Sequence, residues 1–227
     1  MIRATGRIAT DRPPAIVVGL DCITGLQSTR IFTARGVPVV GVVCHPHPLY
    51  GGTMQNKVVH TLARAMQELG AATVRFNFRG VGASTGTHDE GRGEIDDVAA
   101  VAQWARRRWH CERLWLAGFS FGAAVALQAA PRLSPERLVT VAPPVARLGL
   151  DRMPPRPAAD WLIVQGDADE LVDAAAVARW AAAYDPSPQL IELAGAEHFF
   201  HGRLTELREL VMRFLEGPEQ AGSVWPV

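Results

Sequence analysis

Lysine is almost missing from this chain. Lys57 stands alone against 22 arginines, which reads as GC-rich codon usage rather than chemistry. A charge excess of either sign is also missing. Twenty-three basic residues face 23 acidic ones, for a formal net charge of zero. That excludes the electrostatic footprint of a nucleic-acid binder or of a protein held to an acidic membrane surface. The local run Arg106-Arg107-Arg108 falls near an expected helix C-terminus, where cations meet the negative end of the dipole. Cysteine is scarce: Cys22, Cys44 and Cys111 are odd in number and lack metal-ligand spacing. They exclude a disulfide framework and imply free thiols in a reducing compartment. No run of about 18 apolar residues exists, so no membrane span is expected. The opening MIRATGRIATDRPP lacks the apolar centre of a secretory signal, and a cytoplasmic protein is expected.

What is there is an ordinary globular composition, 48% hydrophobic and 20% charged over 227 residues. It suits one domain over 1–216 followed by a loose tail, 217–227. Strand-like and helix-like segments alternate. Strands are expected at 15–20, 28–34, 37–45, 72–78, 113–119, 137–145, 160–166 and 188–195. Helices are expected after Gly51-Gly52 and ending at Gly70, then at 93–108, 122–130, 174–184 and 202–217. The pattern predicts an α/β fold, a mostly parallel central sheet of about seven to eight strands with helices on both faces. The connection ARLGLDRMPPRPAA, 146–159, is too short for a cap domain.

The stretch LWLAGFSFG, 114–122, carries the chemistry. It places Gly-x-Ser-x-Gly between an apolar strand and an alanine-rich helix, the context in which that motif presents a nucleophile. Gly118 and Gly122 remove side chains that would clash in the tight turn. Ser120 then points up at a helix start, where free N–H groups favour a developing anion. A serine needs a base, and the base needs an acid to orient it. Asp169 follows the strand 160–166, with Asp167 and Glu170 as rivals. His198 follows the strand 188–195, flanked by Phe199 and Phe200, with His201 nearby.

Two backbone N–H groups should receive the oxyanion. Phe121 is one. The other should come from HPHPLYGGTM, 45–54, where Pro46 and Pro48 have no N–H to give. That leaves His47 and Leu49, and His47 is favoured. The side chains of His45 and His47 read as loop-stabilising. No third ligand follows at metal spacing, so no metal is expected. Leu49, Tyr50, Phe119 and Phe199 are the expected substrate-binding residues. Arg79 could hold a substrate carboxylate, but the favoured reading is a structural arginine pairing with carbonyls or with an acid such as Asp96 or Asp97, and Ser84 is not on an elbow.

CHPHPLYGGTMQNKVV, FNFRGVGASTG, GFSFG, GDADELV and AEHFF, in that order, resemble the small lidless bacterial α/β-hydrolases related to dienelactone hydrolases. The resemblance covers roughly residues 37–215, and segment 1–36 carries no motif that aligns. It implies that Ser120, Asp169 and His198 form a triad. The function to expect is a serine hydrolase of carboxylesterase type. It would cleave small acyl esters through an acyl-enzyme and need no cofactor. No nucleic-acid or membrane partner is expected, and a homodimer is compatible with the composition. Two alternatives use the same fold: a non-catalytic ligand-binding or partner-binding protein, and a thioester or C–C bond hydrolase.

Overall fold

The computed structural model describes residues 17–20 and 39–217. The strand expected at 28–34 and the tail from 218 onward lie outside the described residues. Seven strands form one sheet: β1 (Val17–Leu20), β2 (Val40–Cys44), β3 (Ala72–Asn77), β4 (Leu114–Phe119), β5 (Arg137–Val141), β6 (Asp160–Gly166) and β7 (Gln189–Leu193). The order is β1-β3-β2-β4-β5-β6-β7. β1 pairs antiparallel with β3, and every other pairing is parallel.

Among the described residues, five helices cover the sheet: α1 (Lys57–Glu68), α2 (Arg92–Trp109), α3 (Phe121–Leu133), α4 (Ala174–Ala182) and α5 (Leu204–Glu216). The strands alternate sides as β geometry requires. Val40, Val42, Leu114 and Leu116 enter the core under α2, α3 and α4. Val39, Val43, Trp115, Ala117 and Phe119 enter the core under α1 and α5. Both faces of the sheet are therefore buried, which is why these strands read as continuous apolar runs. No helix among the described residues is long and apolar enough to cross a membrane.

Among the boundaries that differ from the sequence reading, two involve proline. β5 stops at Val141 rather than 145, because Pro143 and Pro144 cannot donate to a ladder. α3 runs on to Leu133 past Pro131, which sits in its last turn. Between β5 and β6 the only regular element is a single 3-10 turn, Leu150–Arg152. That connection carries no cap domain.

The strand order reverses between β2 and β4. Chain connections leave those two strands in opposite directions, so a crevice opens beyond their carboxyl ends. Cys44 and Phe119 end the two strands, and the loop 45–56 and Ser120 follow directly.

Candidate active site

Ser120 sits on the crevice floor between β4 and α3. Its backbone is strained, with φ 54° and ψ −118°, a region that L-residues avoid unless their surroundings hold them there. The holding groups are visible. Ser120 N–H donates to Val141 O at 2.8 Å. A Cβ at Gly118 would lie 2.0 Å from Gly122 O, and one at Gly122 would lie 2.4 Å from Cys44 O and 2.5 Å from His45 O. Only glycines let α3 start this close to β2. The same close approach brings the 45–56 loop to the serine.

The β6 and β7 loops converge from the other side. Gly166 lets them touch, since a Cβ there would lie 2.1 Å from Ala196 O. Asp167 N–H donates to Leu193 O and Ala168 N–H to Ala196 O. This contact places Asp169 beside His198. Asp169 Oδ2 accepts from His198 Nδ1 at 2.8 Å, and His198 Nε2 lies 3.1 Å from Ser120 Oγ. The two side chains are almost fully buried, 0% and 3% exposed.

Asp169 is well supplied with donors. Leu171 and Val172 N–H groups each reach Oδ1 at 2.8 Å, and Gln165 Nε2 reaches Oδ2 at 3.0 Å. Burial of the carboxyl opposes ionisation. The bonds from the His198 ring and the Leu171 and Val172 amides outweigh it and hold the pKa below the usual carboxylate value. An ionised Asp169 must accept, so His198 Nδ1 carries the proton and Nε2 presents its lone pair to Ser120. The two rivals do other work. Asp167 Oδ1 accepts from Gly195 N–H at 2.5 Å, and Glu170 Oε2 accepts from His198 N–H at 3.2 Å. His201 pairs with Glu197 on the surface.

The 45–54 loop folds back on itself. Gly52 N–H donates to His47 O, and a Cβ at Gly52 would strike Pro46 O. Leu49 N–H is taken by His47 Nδ1 at 3.2 Å. The N–H groups of His47 and Phe121 meet no acceptor among the described residues. His45 is a buried brace: its Nδ1 contacts Pro46 O at 2.6 Å and its Nε2 accepts from Phe78 N–H at 3.0 Å. Burial lowers its pKa to about 4, so the ring is neutral.

Of the expected substrate-binding residues, Leu49 and Tyr50 are 69% and 86% exposed on the rim, with Phe199 at 38%. Phe119 is a correction. It is fully buried, its ring 5.1 Å from the His198 ring, so it supports the imidazole from below and cannot line an open wall. A residue just before a nucleophile at a strand end still alternates into the core. Arg79 grips Asp97 through Nε, Nη2 and its own backbone N–H, while Ser84 Oγ donates to Asn77 O.

The sequence reading missed three residues. Gln165 hides in the β6 run. His88 and Glu94 pair across the start of α2, Nδ1 to Oε1 at 2.8 Å, with Glu94 fully buried. The signal for Glu94 was present: a glutamate three residues after the helix-capping Gly91, whose N–H it accepts.

A family model for the α/β-hydrolase fold matches residues 42–161. The chain belongs to that family. An α/β serine hydrolase homologue from Coxiella burnetii superposes with a TM-score of 0.77 at 44% identity, over 89% of this chain and 91% of that one. An α/β serine hydrolase without a lid from Xanthomonas campestris gives 0.77 at 41% identity, over 93% and 91%. An uncharacterized protein of Rickettsia prowazekii (strain Madrid E) is 33% identical over 81% of this chain and 80% of its own. This α/β-hydrolase is thus a small serine hydrolase, with no cap domain among its described residues. The bare β5–β6 connection is in keeping with the lidless Xanthomonas structure.

Proposed function

We propose that this hydrolase cleaves small acyl esters through a Ser120–His198–Asp169 triad, in a site open to solvent. One observation carries the reading: a serine on a strained elbow within 3.1 Å of an imidazole whose other nitrogen is held by a buried carboxylate. In acylation, Ser120 Oγ attacks the ester carbon while its proton passes to His198 Nε2. The tetrahedral oxyanion meets the free N–H groups of His47 and Phe121, at the amino end of α3. The C–O bond then breaks, and the leaving alkoxide takes the proton from Nε2. Water repeats the sequence on the acyl-enzyme, with His198 as base. Asp169 keeps Nδ1 protonated throughout and stabilises the imidazolium.

The test is labelling with a fluorophosphonate, with mass spectrometry to find the adduct, alongside hydrolysis of 4-nitrophenyl butanoate. The adduct should lie on Ser120. The Ser120→Ala variant should lose turnover by a factor on the order of 10⁶. It should stay folded, because the hydroxyl contacts only His198 among the described side chains. An adduct elsewhere, or a variant retaining about a tenth of the activity, would overturn the assignment.

A further inference from the structure

The His88–Glu94 pair has no part in the chemistry just described, yet it lies one aromatic ring from the nucleophile. The rings of His47 and His88 both pack on Phe121, at 4.9 and 5.4 Å between centroids, and lie 5.0 Å from each other. On their outer side is a cleft of about 610 Å³. Its far wall is the 148–152 loop, pinned by Gln128, whose Nε2 donates to Leu148 O at 2.9 Å and to Ala124 O at 3.1 Å.

On the esterase reading above, the cleft falls on the acyl side. His198 must deliver its proton to the leaving oxygen, so the alcohol arm of an ester lies against the His198 loop. The acyl arm then points the other way, past Phe121 and His47. No residue of the His198 loop lines the cleft.

Glu94 sets what His88 offers there. Glu94 Oε1 accepts from Asp89 N–H at 3.0 Å and Oε2 from Gly91 N–H at 2.9 Å, and Oε1 also holds His88 Nδ1. Donors surround this buried carboxyl, so it acts as an acceptor and the proton of the pair sits on Nδ1. His88 Nε2 is then fixed in direction. It has no protein partner among the described residues, and it is not sealed from solvent. Such a nitrogen facing a cleft beside a nucleophile is unfilled hydrogen-bonding capacity. The charged residues that line the cleft are two of each sign, Glu90 and Asp151 against Arg92 and Arg152. That field selects no ion.

We infer that His88, held by Glu94, is a specificity-determining residue that hydrogen-bonds a neutral hydroxyl on the acyl chain. The preferred substrates are therefore hydroxyacyl esters rather than plain alkyl ones. The inference rests on the esterase reading above. A methyl group in place of the hydroxyl would leave Nε2 desolvated without a partner, the arrangement that discriminates most sharply against an apolar isostere.

The experiment compares 4-nitrophenyl 3-hydroxybutanoate, both enantiomers, with the isosteric 4-nitrophenyl 3-methylbutanoate. The native enzyme should favour one hydroxy enantiomer in kcat/KM by about tenfold, the scale of one hydrogen bond. His88→Phe keeps the ring packing on Phe121 and should bring that ratio close to one. His88→Gln restores a polar terminus and should recover part of it. A merely structural role would lower kcat/KM for both esters together and leave the ratio in place. A native ratio at or below one, or a ratio unchanged in His88→Phe, overturns the inference. Failure of the native enzyme to cleave any of the three esters would instead count against the esterase reading itself.

Discussion

Asp169 divides its carboxylate between two tasks: Oδ2 holds His198 Nδ1 at 2.8 Å, and Oδ1 closes the turn above it by accepting from Leu171 and Val172 N–H. Asp167, two residues earlier, meets only the N–H of Gly195 with its carboxylate. The consequence is asymmetric. Asp169→Asn should cut kcat by roughly 10⁴, because an amide favours the wrong imidazole tautomer. Asp167→Asn leaves an amide oxygen that can still accept from Gly195 N–H and should cost less than about tenfold. Steady-state kinetics on 4-nitrophenyl butanoate with both variants checks this, and the reverse order would move the acid to Asp167.

The oxyanion assignment can be tested at a single atom. His47 has φ −54°, close to the angle that proline imposes, so His47→Pro removes the N–H without forcing the backbone. His47→Ala removes the same ring and keeps the N–H. The proline variant should turn over about 100-fold more slowly than the alanine variant. Equal rates would mean that this N–H does not meet the oxyanion.

Stability should fall in mild acid, and His45 is the reason. In the folded protein its ring stays neutral down to a pH of about 4, whereas an unfolded histidine takes a proton near 6.5. Between those values the unfolded chain binds more protons, so its share grows as the pH drops. The full difference is about 3 kcal/mol. Asp169 acts lower. Its depressed pKa contributes stability above the ordinary carboxylate value, and that contribution is lost only as the pH falls below about 4. Urea unfolding at pH 7 and at pH 4.5 should therefore show a lower midpoint in acid. His45→Gln, less stable at pH 7, should show a much flatter difference. A steep acid loss in that variant would place the titrating group elsewhere.

Arg79 shows how much of this was legible in the sequence. The residue types that act through chain direction and spacing were readable: the glycines beside Ser120, the loops holding Asp169 and His198, and Asp96 and Asp97 among the groups open to Arg79. What decides between those neighbours is which side of α2 faces the sheet, and Asp97 does so, fully inside, while Asp96 pairs outward with Arg132. Phe119 was misplaced for the complementary reason. Being next to the nucleophile in sequence says nothing about which side of the sheet a ring enters. His88 and Glu94 are six residues apart across a loop and a helix start, a distance at which no periodic pattern operates.

The Arg79–Asp97 pair should matter for stability rather than turnover. Asp97 is 2% exposed and Arg79 17%, and removing the arginine strands a buried carboxylate. Arg79→Met should cost about 3–5 kcal/mol. Gly93→Ala should cost a substantial part of that without replacing either partner, because the new Cβ would lie 1.9 Å from Arg79 Nη1. Denaturant titration of the two variants checks the link. A Gly93→Ala protein as stable as the native one would show that the guanidinium can move aside at no cost.

Chain length should limit the substrates. The 18 residues joining β5 to β6, 142–159, hold one 3-10 turn and no helix long enough to close over Ser120. Without a closing element among the described residues, a long acyl chain has no tunnel to take it out of water. The apolar surface at the mouth belongs to Leu49, Tyr50 and Phe199, which stand 69%, 86% and 38% exposed on two loops. A methylene fully buried gains about 0.8 kcal/mol, but one laid across such a rim keeps most of its water and gains a fraction of that. For unbranched alkyl esters, kcat/KM should therefore peak at about two to six acyl carbons and then decline, as the reachable apolar surface runs out. Activity should rise smoothly with dissolved substrate, with no jump where an ester begins to form droplets, since no lid waits to be opened by an interface. Initial rates on 4-nitrophenyl esters from acetate to palmitate, on both sides of their solubility limits, decide the matter. A rate that climbs with chain length to palmitate, or that jumps at emulsification, would mean that some part of this chain shelters the acyl group after all.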